Sequence, residues 1–440
     1  MVDQVVVRFA GDGAGAGELS WGQQDIWQAM VRQKSWLPNG AWGPLAAGTT
    51  VDDVAEQLRY MMSRFPSART RLRFDAEGRP TQVVSGSGEI TLEIVEAGAE
   101  DPAAVAEAVR LRLQDTEYDF AADWPIRMAA VRSGGALTHL VVVMCHLVAD
   151  GFGTQVLLDE LGTRVTTPIP ELQPLEQARW QASPSGQRQN TLALRHWDGI
   201  LRAMPPRRFP DTAEKPEPRH WRGEFKSYAL GPALRAVTEQ TGVASAPALL
   251  AVFAVALARV TRINPVVLRP MVNNRFRPGL DRVVCMLAQY GLCQLDVAGV
   301  SFAEVLDRAR RGAMTTYKHA YYHPVELDDL VRRVVRERGA DLELPCYFND
   351  RRADTGKSGG DPEPVALRGA AARSTFRWTT RQDVPFEPLI VHLDDVPDAV
   401  QAIIFMDTHV VSPADGEALL RGMEAAAVEA ALDPSAPTGV

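Results

Sequence analysis

One stretch of the sequence decides the fold, and it reads Val141-Val142-Val143-Met144-Cys145-His146-Leu147-Val148-Ala149-Asp150-Gly151. Its first four residues are continuously apolar, as expected for a strand that is covered on both faces. Gly151 opens a segment whose apolar positions, from Val156 to Leu161, recur at helical spacing. The stretch therefore predicts a buried strand, a short turn and a helix, which together are typical of a mixed α/β fold.

The turn in this stretch carries residues suited to proton transfer. His146 directly follows the predicted strand, where a histidine can point into a cleft, and its usual pKa suits acid–base work near neutral pH. Asp150 lies at the helix start, where a carboxylate can cap the helix and is favoured by the helix dipole. Gly151 has no side chain, so its N–H is a candidate oxyanion donor. The alternative is a non-catalytic turn whose histidine is simply hydrogen-bonded.

Length and composition predict two domains. The chain has 440 residues and is 46% hydrophobic, which is too long for one compact core. Helix and strand patterns occur in both halves, so each half is expected to form an α/β sandwich. Residues 166–191 are rich in Pro, Gln and Ser and only weakly periodic, and they are the candidate linker. We place the domains at residues 1–175 and 176–440.

Several classes of protein are disfavoured by the same numbers. A formal net charge of −8 argues against a nucleic-acid partner. No apolar run is long enough to span a bilayer, and the first residues lack the pattern of a signal peptide, so we expect no membrane association and a cytoplasmic location. The four cysteines have neither metal-type spacing nor a CxxC pair, so no metal site and no disulfide are expected.

The segment Cys145–Gly151 resembles the HHxxxDG motif of the condensation domains of nonribosomal peptide synthetases, which belong to a superfamily that includes chloramphenicol acetyltransferase. Other segments resemble further motifs of this family, in the family's order and over nearly the whole chain. They are Leu19–Trp27 (LSxAQxxLW), Arg64–Leu72 (RHExLRTxF), Asp119–Arg127 (FDLxxxPLLR), His196–Asp211 (from YW to PTD), Asn274–Leu280 (GRxxPEL), Pro324–Glu326 (the end of HQDYPFE) and Pro345–Asn349 (PxFxxxFN).

The resemblance implies a fold and a reaction. The fold is two chloramphenicol-acetyltransferase-like α/β sandwich lobes, arranged as a V around a central tunnel. The reaction joins a carrier-bound acyl or aminoacyl thioester to an amine or hydroxyl acceptor, free or carrier-bound, and forms an amide or ester. It implies that His146 is catalytic, and that Asp150 is mainly structural and pairs with an arginine, either Arg275 or Arg69.

The resemblance also implies the partners. An acyl or peptidyl carrier protein delivers the substrate on its phosphopantetheine arm, so no cofactor is bound by the chain itself. Nothing in the sequence looks like a carrier or adenylation domain, and we therefore expect a free-standing enzyme of natural-product biosynthesis, or a domain cut out of a longer protein, that finds its partners in trans.

The sequence departs from the family pattern at Cys145, where the motif has its first histidine. Neighbouring strand residues point to opposite faces, so Cys145 is not expected to act as a nucleophile with His146 as its base, and a packing role is favoured. The last family motif is not recognisable. An acyl-CoA-dependent acyltransferase, a catalytically degenerate carrier-docking module, and an enzyme that hydrolyses or cyclises the carrier-bound chain remain alternatives.

Overall fold

The structure is a computed structural model that describes residues 2–210, 212, 214–344, 346–352, 364–385 and 387–440. Two residues of the quoted motifs, Asp211 and Pro345, lie outside this part of the chain. The contacts divide the chain into a first unit, Met1–Arg188 with Asn273–Ala288, and a second unit, Gln189–Val272 with Gln289–Val440. This division differs from a boundary after residue 175, because residues 176–188 and the inserted segment 273–288 both belong to the first unit.

The first unit is built around a sheet with the strand order β1-β6-β7-β8-β3, beside a smaller sheet with the order β2-β5-β4. Strands β6 and β7 are parallel, and β8 is antiparallel to both of its neighbours. The strands are β1 (Val2–Ala10), β2 (Gly15–Glu18), β3 (Pro38–Pro44), β4 (Thr70–Phe74), β5 (Pro80–Val84), β6 (Ser87–Glu96), β7 (Ile126–Ser133) and β8 (Ala136–Cys145). The helices are α1 (Trp21–Gln33), α2 (Val51–Arg64), α3 (Pro102–Asp115), α4 (Gly151–Thr163) and α5 (Pro174–Ala182).

Strand β8 is covered on both faces, as its apolar sequence predicts. Val141 and Val143 belong to a core cluster that also contains residues of α1 and α3. Met144 belongs to a second cluster that contains residues of α2 and α4, and Val142 packs against it. Because the strand is buried on both faces, its C-terminal end is held firmly at the position where the turn towards α4 begins.

The second unit contains, within its described residues, a sheet with the order β11-β10-β13-β15-β16-β9-β14, to which β12 adds by pairing with β10. Its strands are β9 (His220–Ser227), β10 (Val266–Val272), β11 (Gln289–Tyr290), β12 (Cys293–Leu295), β13 (Tyr347–Asp350), β14 (Thr375–Gln382), β15 (Leu389–Val396) and β16 (Ala399–Asp407). Its helices are α6 (Pro184–Ala203, in this unit from Gln189 onward), α7 (Leu230–Thr241), α8 (Ser245–Thr261), α9 (Phe302–Lys318), α10 (Pro324–Arg338), α11 (Pro364–Ala371) and α12 (Pro413–Leu432).

Helix α8 is the centre of the second unit's core. Its residues from Ala248 to Ala258 are buried, and they share one apolar cluster with residues of α7, α9 and α12 and with one face of the sheet. The ring of Phe253 stacks on that of Phe348 from β13, with the ring centroids 4.6 Å apart. A helix that is apolar on all sides is typical of the interior of a large domain.

The predicted linker, residues 166–191, contains the boundary between the two units after Arg188, but most of its length is helical because α5 and the first turns of α6 lie in it. Helix α5 begins with a reciprocal capping box between Gln173 and Glu176. Gln177 and Gln181 are buried and hydrogen-bonded, and the side-chain oxygen of Gln181 accepts a hydrogen bond from the Trp21 N–H at 3.0 Å. Since polar side chains fill buried helix positions here, hydrophobic periodicity does not reveal the helix.

Within the described residues, no single helix is both long enough and apolar enough to cross a membrane. Helices α7 and α8 meet the length and composition criteria only when taken together, and they are bent by 113° at the break between them.

The packing of α8 leads to a stability prediction. Phe253→Ala removes a fully buried ring, so we expect a loss of about 3–5 kcal/mol in the free energy of unfolding. Urea unfolding followed by circular dichroism measures it. Met314→Ala on α9 is the control, because Met314 is 65% exposed and its loss is expected to change stability by less than about 0.5 kcal/mol. Equal effects in the two variants would contradict the assigned core.

Candidate active site

The turn between β8 and α4 contains the candidate base. The strand ends at Cys145, and Asp150 is the N-cap residue of α4, with its backbone still extended. Between them, the Val148 N–H donates to the Cys145 carbonyl at 2.9 Å, which closes a tight turn. His146 is half-buried in this turn, and its Nδ1 lies 3.2 Å from the carbonyl oxygen of Ala149.

The hydrogen bond at Nδ1 fixes the tautomer of His146. A carbonyl oxygen only accepts, so Nδ1 carries the hydrogen and Nε2 carries the lone pair. Nε2 has no hydrogen-bond partner among the described residues. Burial lowers the pKa of His146, and the nearby Asp150 carboxylate offsets only part of this effect. The imidazole is therefore neutral near pH 7, with a basic nitrogen free to accept a proton.

Asp150 is engaged by donors on every side. Its Oδ1 accepts from the Gly153 N–H at 2.8 Å, which is the helix-capping bond. Arg275 binds both carboxylate oxygens, with Nη1 2.8 Å from Oδ2 and Nη2 2.7 Å from Oδ1. The N–H groups of Leu287 and Ala288 also donate to Oδ2, at 3.2 and 3.0 Å. The carboxylate thus fastens the start of α4 to the segment 273–288.

Arg275 and Asp150 form a buried pair, since their side chains are 4% and 6% exposed. Arg275 also donates to the carbonyl oxygens of Asn273 and Val283, at 3.3 and 3.1 Å. A Cβ atom on Gly153 would lie 3.1 Å from Arg275 Nη2 and 3.2 Å from the Cys285 carbonyl oxygen. Glycine at this position therefore lets α4 approach the segment 273–288 closely.

Arg69, the other arginine that the sequence offered as a partner for Asp150, is engaged elsewhere. It is buried, its Nη1 donates to the Ser85 carbonyl at 2.7 Å, and its Nη2 donates to the Asp12 carbonyl. Burial lowers the pKa of Arg69. The structure thus distinguishes two arginines that sequence spacing left equivalent: Arg275 pairs with Asp150, and Arg69 supports the chain before β2.

Cys145 points away from the turn and into a core. It belongs to an apolar cluster that includes Val141, Val143 and Trp36, and its Sγ lies 3.6 Å from the Trp36 carbonyl oxygen. Burial raises the pKa of its thiol to about 12. The thiol is therefore protonated near neutral pH and is not a nucleophile in this setting.

Gly151 offers open space beside the turn. It is exposed, and a Cβ atom placed on it would find no atom within 4 Å. As the first residue of α4, it has one of the N–H groups that no carbonyl of the helix can accept. This N–H is therefore available to a ligand at the same turn that holds His146.

Phe152 is a neighbour of the turn that the motif analysis missed. The guanidinium carbon of Arg275 lies 4.8 Å from the centroid of its ring, yet the residue is 48% exposed. The signal available in the sequence was an aromatic residue directly after the motif, but it looks like one of the apolar core positions of α4. Among the described residues, no group of three or more His, Cys, Asp or Glu could hold a metal ion.

Comparison with known proteins places this site in a family. The family model for condensation domains matches residues 30–344. A linear gramicidin synthase protein of Brevibacillus parabrevis is 26% identical over 388 residues, which is 83% of this chain and 7% of that protein. The nonribosomal peptide synthetase kk1B of Curvularia clavata is 24% identical over 433 residues, or 91% of this chain and 3% of that protein. The chain thus spans less than a tenth of the length of these relatives.

Solved structures share the fold. A condensation domain that mediates chain release from the enacyloxin polyketide synthase has a TM-score of 0.70 at 19% identity, over 96% of this chain and 84% of that one. The condensation domain of the Monacolin K polyketide synthase MokA has a TM-score of 0.71 at 16% identity, over 96% and 99%. The X-domain from teicoplanin biosynthesis also scores 0.71, at 17% identity and over 98% of both chains.

These matches confirm the fold class predicted from the sequence, the two-lobe α/β fold that condensation domains share with chloramphenicol acetyltransferase. The family model covers well over half of the residues, and its match includes the turn with His146 and the segment that carries Arg275. The chain therefore belongs to the condensation domain family.

Proposed function

We propose that this chain is an acyltransferase that joins a carrier-bound acyl thioester to an amine or hydroxyl acceptor and forms an amide or an ester. The observation that carries the proposal is His146, a neutral imidazole whose Nδ1 is anchored on the Ala149 carbonyl and whose Nε2 is free. The family supports it, because condensation domains work on carrier-bound substrates and the relatives named above include peptide synthetases.

The proposed reaction uses His146 as a proton carrier. The acceptor nitrogen or oxygen attacks the thioester carbonyl carbon, and its proton passes to His146 Nε2. The Gly151 N–H donates a hydrogen bond to the oxyanion that forms. When the tetrahedral intermediate collapses, the carbon–sulfur bond breaks and the thiolate leaves with the proton from His146. The imidazole is then neutral again, and the acyl group is on the acceptor.

The remaining site residues have supporting roles in this proposal. Asp150 and Arg275 hold the turn and the start of α4 in place and do not touch the substrate. Cys145 packs in the core behind the turn. The phosphopantetheine arm belongs to an acyl or peptidyl carrier protein, so the chain needs no cofactor of its own and no metal for these proton and acyl transfers.

A docking module without catalysis is the second candidate. Two observations favour it: cysteine stands in place of the first motif histidine, and the X-domain from teicoplanin biosynthesis, which has also been solved in complex with OxyB, shares the fold. The geometry of His146 favours catalysis instead, because a docking module has no need of a basic nitrogen that is left free by the anchoring of Nδ1.

The proposed function is tested by an acyl carrier protein loaded with an acyl thioester and offered amine and hydroxyl acceptors. Intact-protein mass spectrometry measures unloading of the carrier, and product analysis identifies the amide or ester. We expect His146→Ala to lower the rate by roughly 10²- to 10⁴-fold, because general base catalysis is lost. We expect Cys145→Ala to keep substantial activity, since its thiol is neutral and buried in a core.

Three outcomes would contradict the proposal or part of it. An unchanged rate in His146→Ala would remove the base and favour the docking module. Loss of activity in a folded Cys145→Ala variant would show that the thiol takes part in the chemistry. Turnover with acyl-CoA but never with the loaded carrier would replace the carrier by a soluble thioester donor.

The ion pair gives a separate prediction. Arg275→Met leaves the Asp150 carboxylate buried without its counter-charge, so we expect a loss of about 3–5 kcal/mol in unfolding free energy. The double variant Asp150→Asn with Arg275→Met removes both charges, and we expect it to recover part of this loss. Urea unfolding of the two variants measures the difference. Equal stability of the single variant and the unsubstituted chain would contradict a supporting role for the pair.

The pKa of His146 predicts the pH dependence. Because burial lowers it below 6.5, the base stays neutral in the folded chain at pH values where a free histidine is already partly protonated. We expect kcat/KM to be flat near pH 7 and to fall only as the pH drops through the lowered pKa. Unfolded chains take up the proton more readily, so stability also declines below about pH 6.5. An acid limb centred above pH 6.5 would contradict the assignment of His146 as the base.

A further inference from the structure

Phe152 presents an exposed apolar side chain on the first turn of α4, six residues after the candidate base. It is the second residue of α4, and it is 48% exposed. The Arg275 guanidinium lies over its ring, with the guanidinium carbon 4.8 Å from the ring centroid. Arg275 is itself held in place by both carboxylate oxygens of Asp150. The guanidinium therefore supports one side of the Phe152 ring, and the residue as a whole stays 48% exposed.

The exposed ring belongs to the same short segment as the groups that would handle the thioester. His146, Gly151 and Phe152 lie within seven consecutive residues, and the Asp150 carboxylate is close enough to His146 to influence its pKa. The space around Gly151 is open. A carbonyl oxygen that accepts from the Gly151 N–H therefore brings its acyl substituent to the first turn of α4, where Phe152 is the adjacent side chain.

We propose that Phe152 is the contact surface for the acyl group of the donor thioester, and that the chain favours donors with an apolar acyl group of several carbons or an aromatic ring. This inference rests on the proposed function, and it adds a substrate class to it. Phe152 is a specificity residue here, since it contacts substrate but transfers no proton.

The chemistry of this surface explains the preference. The exposed part of a phenylalanine ring offers neither a hydrogen-bond donor nor an acceptor, so a polar acyl group placed there loses water without gaining a partner. The positive charge of Arg275 is neutralised by Asp150, so the cation behind the ring does not attract an anionic acyl group. An apolar acyl group gains from removing the ring and itself from water, and the gain grows with the area that is covered.

The inference is tested by binding, which needs no acceptor and no turnover. The probes are acyl-pantetheine amides, in which nitrogen replaces the thioester sulfur, with acetyl, hexanoyl and decanoyl groups. Isothermal titration calorimetry gives their Kd values for the 440-residue chain and for Phe152→Ala. We expect affinity to rise with acyl length in the unsubstituted chain, and Phe152→Ala to weaken the decanoyl probe by roughly 5- to 20-fold and the acetyl probe by less than about twofold.

Two further variants make the result specific. Leu158→Ala is the matched control, because Leu158 lies on the same helix and is 54% exposed. It follows Phe152 by six residues, which is more than one turn of the helix. We expect no effect of this variant on any probe. Phe152→Leu keeps an apolar surface and is expected to restore most of the length dependence.

Each outcome decides the inference. A uniform loss across the three probes in Phe152→Ala would mean that Phe152 acts only by holding Arg275, and the proposed acyl contact would be wrong. An unchanged length dependence, or an unsubstituted chain whose affinity does not rise with acyl length, would also overturn it. His146→Ala separates this inference from the proposed function, because loss of the base lowers the rate of turnover but is expected to leave the length-dependent binding in place.

Discussion

The buried ion pair between Asp150 and Arg275 is the interaction on which the candidate site depends. Burying two charges is costly, and the cost is offset only if the geometry is good and the remaining hydrogen-bonding positions are filled. Here both oxygens of Asp150 meet both terminal nitrogens of Arg275, and the N–H groups of Gly153, Leu287 and Ala288 complete the shell. One carboxylate thereby joins the turn after β8, the first turn of α4 and the segment 273–288.

This arrangement separates the work of holding the site from the work of proton transfer. Because Asp150 is occupied by Arg275 and by backbone groups, it does not orient His146 as the acid of a catalytic triad would. The imidazole is oriented instead by the Ala149 carbonyl, which lies in its own turn. A carbonyl fixes the tautomer without adding a full negative charge next to the ring. The candidate base therefore keeps a lowered pKa, because the nearby Asp150 carboxylate offsets only part of the effect of burial.

The sequence predicted those parts of the site that local patterns determine. The apolar run before Cys145 gives a strand covered on both faces, and Asp150 followed by Gly151 gives a capped helix start. The ordered motifs predicted the family, and the family model confirms it. The sequence could not predict that Arg275, and not Arg69, pairs with Asp150, since neither arginine is near Asp150 in sequence and both are buried.

Other features were not predicted because they depend on tertiary contacts, which local sequence patterns do not reveal. Helix α5 fills buried positions with two glutamines, of which Gln181 accepts from the distant Trp21 N–H and Gln177 donates to the Leu172 carbonyl just before the helix, so the usual period of apolar residues is missing. The segment 273–288 belongs to the first unit through hydrogen bonds such as that from Ser67 Oγ to the Val284 carbonyl at 2.8 Å, which no local pattern indicates. The exposure of Phe152 likewise depends on the surroundings of α4 and not on its sequence period.

Cysteine in place of the first motif histidine affects the packing of the core next to the turn more than it affects the chemistry at His146. Cys145 is the last residue of β8, and its side chain lies in an apolar cluster with Val143 and Trp36. Its thiol stays neutral because burial raises its pKa to about 12. It therefore places no charge and no competing proton acceptor beside His146. The proton-carrying capacity of the turn remains that of one imidazole, and on this physical ground the substitution is compatible with a working site.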